Sequence, residues 1–191
     1  GTLQYDSSIS NMNRAIVLNA SSTIENNAIL QLHGVISGSG DLIKAGSGVL
    51  ALYAGNTFTG RLIINQSVVA IDSNALPVGD MVIASGASVN FANYNSSQTY
   101  AGTISGAGQV YQSGSGTTTL TGANTYAGGT LIGGSGTLAV SSDANLGDAS
   151  GSISFQGGKL KFLSSFDLAS TRAIHLSNFG GTFLLNGATT T

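Results

Sequence analysis

The 191-residue chain contains no cysteine, no tryptophan and a single proline, Pro77. Without cysteine there is no disulfide framework, so the fold must rest on apolar burial and backbone pairing, as stacked repeats do. Charge is nearly as scarce. Charged residues make up 7% of the sequence, against roughly 25% in ordinary globular domains. The six basic residues (Arg14, Lys44, Arg61, Lys159, Lys161 and Arg172) are scattered, and the formal net charge is −2. Holding a phosphate backbone takes many cations on one face, so nucleic acid is not expected as a partner, nor is an anionic membrane surface. No apolar run approaches the roughly 20 residues of a membrane span, so direct membrane insertion of this segment is not expected either. Gly1 opens no signal sequence, and the expectation is a mature protein or a piece of a longer one.

What the chain does have is apolar residues in quantity. They form 41% of it, which separates it from disordered chains of similarly low charge. They occur in short alternating runs such as Ile29–Leu32, Val49–Tyr53, Val68–Ile71, Ser88–Phe91, Thr137–Val140 and Lys159–Phe162. Gly-Ser, Gly-Asn and Asn-Ala turn chemistry separates the runs. Glu and Lys, which favour helices, are nearly missing, and no window holds an uninterrupted helical apolar pattern. The chain is read as all-β.

One stretch is written twice. Gly34 to Gly60 returns, shifted by 68 positions, as Gly102 to Gly128, with 12 of 27 aligned residues identical. Shared landmarks are Gly38/Gly106, Gly46-Ser-Gly48/Gly114-Ser-Gly116, Leu52/Leu120, Asn56-Thr57/Asn124-Thr125 and Gly60/Gly128. The ends echo each other as well. Gly1-Thr-Leu-Gln-Tyr5, Ser7-Ser8 and Arg14-Ala-Ile-Val-Leu18 match Gly158-Lys-Leu-Lys-Phe162, Ser164-Ser165 and Arg172-Ala-Ile-His-Leu176, with one inserted residue. The organisation expected is one segment over 1–191, with internal repeats at 34–79 and 102–147 and partial repeats at 1–33 and 158–191.

A sandwich has no reason to repeat itself at such offsets. A right-handed parallel β-helix has one, because each coil of ~20–25 residues lays its strands on those of the coil before, about 4.8 Å away. The expected fold is therefore a right-handed β-solenoid of roughly eight or nine coils, part of a longer helix. A propeller or an up-and-down barrel is the alternative. Leu52 and Leu120, like Phe58 and Tyr126, are expected at equivalent inward sites of separate coils. Gly38/Gly106 and Gly60/Gly128 are expected at corners that need positive φ or close backbone approach.

The run Gly106 to Ile132, with Asn124-Thr-Tyr-Ala-Gly-Gly-Thr130 intact, resembles the autotransporter-associated β-strand repeat. The copy at 38–64 keeps Leu42 and Lys44 but has Phe58 and Arg61 where that pattern has Tyr and Gly; the copy at 106–132 has Gln112 in place of Lys. The resemblance implies a passenger segment of a bacterial type V secretion protein, at the cell surface or secreted. It would be anchored through a barrel outside this segment. It further implies a scaffold for adhesion, self-association or contact with a host-cell surface protein or glycan.

Chemistry-bearing residues add little to this. Eight carboxylates are spread along the chain, and the repeat sets Gln109 where the first copy has Asp41. A glycosidase needs a carboxylate pair roughly 5–9.5 Å apart, and the isolated aspartates read instead as turn residues bonding backbone amides. His33 and His175 lie far apart with no metal-ligand spacing, and neither a nucleophile elbow nor a phosphate loop is present. No cofactor and no catalytic or metal-binding residue is expected, so the chain is read as a non-enzyme. The alternatives are a polysaccharide-acting β-helix enzyme and a soluble virulence ligand for a specific host protein. Tyr94 and Tyr100, in the polar stretch 93–100, and Arg61 are the candidate surface contacts.

Overall fold

A computed structural model describes residues 1–6, 10–73 and 75–185. Ser7 and Ser8 of the end-to-end echo, and the last six residues of the final partial repeat, lie outside them. The described chain is a parallel β-solenoid. Its strands are three to five residues long, every strand-to-strand pairing is parallel, and the sole helix among the described residues is a 3-10 turn at Asp143–Leu146.

Each coil passes through three faces. The second face is the most complete: a nine-stranded sheet running Ser10–Met12, Leu30–Leu32, Leu50–Leu52, Val68–Ile71, Ser88–Phe91, Gln109–Gln112, Thr130–Gly133, Ile153–Gln156 and Ile174–Leu176. Successive partners along it are Leu30, Leu50, Val69, Val89, Val110, Thr130, Ile153 and Ile174, and the step from each to the next is one coil. The first face is a six-stranded sheet from Thr2–Tyr5 to Ile104–Gly106. It continues less regularly, with Thr125 N–H donating to the Ile104 carbonyl and Asp148 N–H to that of Tyr126. The third face begins with Ile16–Leu18 and Ile36–Gly38 and resumes as a five-stranded sheet from Ser97–Tyr100 to Thr182–Leu185. Between the two, Thr57 and Thr59 donate to the carbonyls of Ile36 and Gly38.

Alternation puts every second side chain inside. On the second face Leu32, Leu52, Ile71, Phe91, Gln112, Ile132 and Phe155 form one inward ladder, all of them buried. Each fully buried Leu, Ile or Phe contributes about 1.5–3 kcal/mol relative to exposure, so rows of this kind replace the missing disulfides.

The repeat does not superimpose on itself. Three steps along the second face lead from Leu50 only to Val110, whereas the repeat carries Leu50 on to Thr118. The repeat offset therefore takes the chain through three coils and on by one face. Leu42–Ala45 on the first face corresponds to Gln109–Gln112 on the second, and Leu50–Leu52 on the second to Thr117–Leu120 on the third. Leu52 and Leu120 are both buried, as are Phe58 and Tyr126, but the two members of each pair stand on different walls. This corrects the expectation of equivalent sites: local sequence sets which residues point inward, while coil length sets which wall they reach.

The shared landmarks have local reasons. Gly38 and Gly106 take φ of 104° and 99°, a region that side-chain-bearing residues avoid. Gly60 and Gly128 lie against the backbone carbonyls of Gly40 and Gly108, where a Cβ would collide. Asn56 accepts from Ile36 N–H at 3.0 Å and donates to the Ala75 carbonyl at 2.8 Å. Asn124 likewise accepts from Ile104 N–H at 2.8 Å and donates to the Asn145 carbonyl. Each asparagine thus ties three successive coils. Lys44 and Gln112, the Lys/Gln pair of the repeat, are both buried. Lys44 Nζ donates to the carbonyls of Ala45 and Gly46, and Gln112 Nε2 to that of Gly114, so the same Gly-Ser-Gly turn is capped from inside by different chemistry.

Of the echoing arginines, Arg14 is exposed and Arg172 is buried. The Arg172 guanidinium grips both carboxylate oxygens of Asp143 at 2.9 and 3.1 Å and donates to the carbonyls of Leu146, Gly147, Asp148 and Gly151.

Candidate binding groove

On the outer side of the second face the ladder reads Gln31, Ala51, Ala70, Asn90, Tyr111. Two adjacent alanines leave a dent there, because a methyl group covers little of the sheet beneath it. The residues that follow each strand form a parallel row along the rim: His33, Tyr53, Asp72, Ala92 and Ser113. Their amides, beginning with His33 N–H to the Met12 carbonyl, pair each with the coil before. The dent and the rim enclose a groove of about 280 Å³, lined also by Ile29, Val49 and Tyr94.

The aromatic walls are held in place. Tyr53 stacks on His33 with ring centroids 4.5 Å apart and planes within 5°. Tyr94 stands two residues beyond Ala92 and is 67% exposed. Its loop is pinned by the next residue: Asn95 adopts φ of 53°, accepts at Oδ1 from Ser115 Oγ at 3.0 Å, and donates its N–H to the same hydroxyl at 3.1 Å. A non-glycine residue in that region carries strain that the surrounding bonds must hold. Polar groups intersperse the apolar floor. Ser113 donates to Asn90 Oδ1 at 2.8 Å, and Asp72, whose Oδ1 accepts from Ser73 N–H, is the one charged residue in the lining.

Of the sequence-predicted contacts, the groove contains Tyr94. Tyr100 is not a surface residue: it is 2% exposed. The stretch read as a polar loop becomes strand Ser97–Tyr100 at its end, with Gln98 and Tyr100 turned inward. There the Tyr100 ring packs near Phe91 and its hydroxyl donates to the Gly79 carbonyl at 2.7 Å, and burial pushes the phenol above its usual range. Arg61 lies elsewhere, at an exposed corner, bonded to Asp41 at 2.9 Å. That guanidinium holds the Asp41 carboxyl below its ordinary value. The aspartates do bond amides, but often in the next coil: Asp41 accepts from Arg61 N–H and Asp80 from Thr103 N–H. Nothing in the local sequence marks Ala51, Ala70, Asp72 or Tyr53 as neighbours. Their common signal is a spacing of one coil, from Ala51 to Ala70 and from Tyr53 to Asp72.

The parallel solenoid thus carries a shallow groove on the outer side of its second face. Residues 42–69 and 110–140 match the passenger-associated-transport-repeat family, so the chain carries two segments similar to that repeat. Over 87 residues, 46% of this chain, it is 47% identical to the adhesin BmaC autotransporter of Brucella suis biovar 1 (strain 1330). That match spans 2% of the adhesin's length. No solved structure matches the chain. No helix among the described residues is long and apolar enough to cross a membrane.

Proposed function

We propose that this segment is an adhesive, non-enzymatic part of a passenger displayed at the bacterial surface or released from it. On this reading the outer side of the second face makes the contact, either with a host-cell surface or with another bacterium. The observation that carries it is the groove: pinned aromatics and polar groups stand open to solvent on a rigid stack, while its single carboxylate, Asp72, has no second one beside it in the lining. A hydrolase would need that partner. Many weak contacts of this kind gain strength when numerous copies face one surface.

The test is adhesion of beads coated with the chain, to one another and to cultured epithelial cells, compared with beads carrying Tyr94→Ala. Adhesion that falls with the substitution supports the reading. Equal adhesion by both, or none by either, removes the groove from the function. Charge is so sparse that binding should change little with salt.

A further inference from the structure

We infer that the groove takes an uncharged oligosaccharide lying along the solenoid axis. This rests on the adhesive reading above and names the ligand class for that same site. Three features converge. First, the rim row from His33 to Ser113 crosses five consecutive coils, roughly 19 Å at about 4.8 Å per strand, so the site is a linear track and suits a linear ligand. Second, two aromatic side chains line the groove. Tyr53 is fixed by its stack on His33, and Tyr94 stands beside the Asn95 turn that Ser115 holds. Sugar rings offer apolar C–H faces to such surfaces while their edges carry hydroxyls.

Third, the polar groups match those edges. Gln31, Asp72, Asn90 and Ser113 supply donors and acceptors around the methyl groups of Ala51, Ala70 and Ala92, the mixture of apolar lining and a few polar groups that small-ligand sites use. Charge selects among ligands. With no cation in the lining, a sulfated or phosphorylated polymer has nothing to neutralise it. With Asp72 alone, a basic peptide has too little to hold it.

The experiment is amide NMR titration of the isotopically labelled chain with neutral hexasaccharides of β-1,4-linked glucose, xylose, mannose and N-acetylglucosamine, and with a heparin hexasaccharide. The expected result is shifts confined to Ala51, Ala70, Asn90 and Ala92 with at least one neutral sugar and none with heparin. Tyr94→Ala, and separately Tyr53→Ala, should weaken that binding roughly tenfold or more, the loss expected of an aromatic contact worth about 1.4 kcal/mol. Both tyrosines are at least partly exposed, and the unshifted amides of each variant report that it is folded. If Tyr94→Ala abolishes bead adhesion but no neutral hexasaccharide moves the groove, the ligand class is overturned and the adhesive reading stands. Sugar binding without adhesion supports the ligand class and defeats the adhesive reading. Shifts with heparin at the same residues overturn the charge argument.

Discussion

Leu52 and Leu120 occupy the same place in the repeat and are both buried, yet Leu52 stacks between Leu32 and Ile71 on the second face while Leu120 stacks on Tyr100 on the third. Burial on either wall carries the same cost of truncation. Leu52→Ala and Leu120→Ala should each lose about 2–5 kcal/mol, measured by urea unfolding. Ser47→Ala, at an exposed turn whose backbone rather than side chain bonds Asn27, should stay within about 0.5 kcal/mol. Equal losses at all three sites would show that the inward ladders do not carry the stability.

The repeat asparagines are held by two buried partners each. Asn56→Ala leaves Ile36 N–H and the Ala75 carbonyl without their bonds, and Asn124→Ala does the same to Ile104 and Asn145. At about 1–3 kcal/mol for each orphaned group, either change should cost about 2–6 kcal/mol. Hydrogen exchange should rise most at Ile36 or Ile104, the amide that lost its acceptor.

Tyr126 and Thr130 share a buried hydroxyl pair at 2.7 Å, whereas the first copy has Phe58 and Leu62 at the matching positions, both fully buried. Polarity is thus kept or dropped at both positions together. Tyr126→Phe and Thr130→Val should each cost about 1 kcal/mol by leaving one hydroxyl unpaired. The double variant should cost less than the sum, a coupling that a double-mutant cycle reads directly.

Burial of Lys44 pulls its amine down from 10.5 to about 8. The folded chain therefore binds fewer protons than the unfolded chain between those values, and stability rises with pH across that window, by about 1–3 kcal/mol once solvent screening is allowed for. Tyr100 and Tyr126 act in the opposite sense. Their phenols are pushed above 10.0 by burial, so stability falls once the unfolded tyrosines ionise. Urea midpoints should climb from pH 8, peak near pH 10 and then decline. Lys44→Gln, the residue the second copy uses, should flatten the climb and leave the decline.

What the sequence determined by itself is local. Alternation of apolar and polar residues decides strand and inward face without any distant contact, which is why Leu52, Phe58, Leu120 and Tyr126 could be placed inside. Gly38 and Gly106 could be placed at corners because only glycine accepts that φ without strain. Repetition implied stacking, since a strand pair this short buries too little alone. The fold class was therefore legible, and Tyr94, in a polar stretch beside a strand, was legible as a surface residue.

Only the tertiary structure decided which residues became neighbours. Coil length sets the stacking register, and it varies along the chain: the coil from Thr130 to Ile153 is longer than the one from Leu50 to Val69. It is invisible in the repeat because the repeat spans three coils and a face. Inward rows tolerate Leu, Ile, Phe and Gln alike, and outward rows tolerate almost anything, so neither leaves an identity signal at the coil period. For the same reason Tyr100 was misplaced: its polar neighbours read as loop until stacking on Leu120 turned it inward. Asp72, Ala51, Ala70 and Tyr53 line one groove because successive coils add one residue each to two adjacent rows, a proximity that depends on register and on no motif.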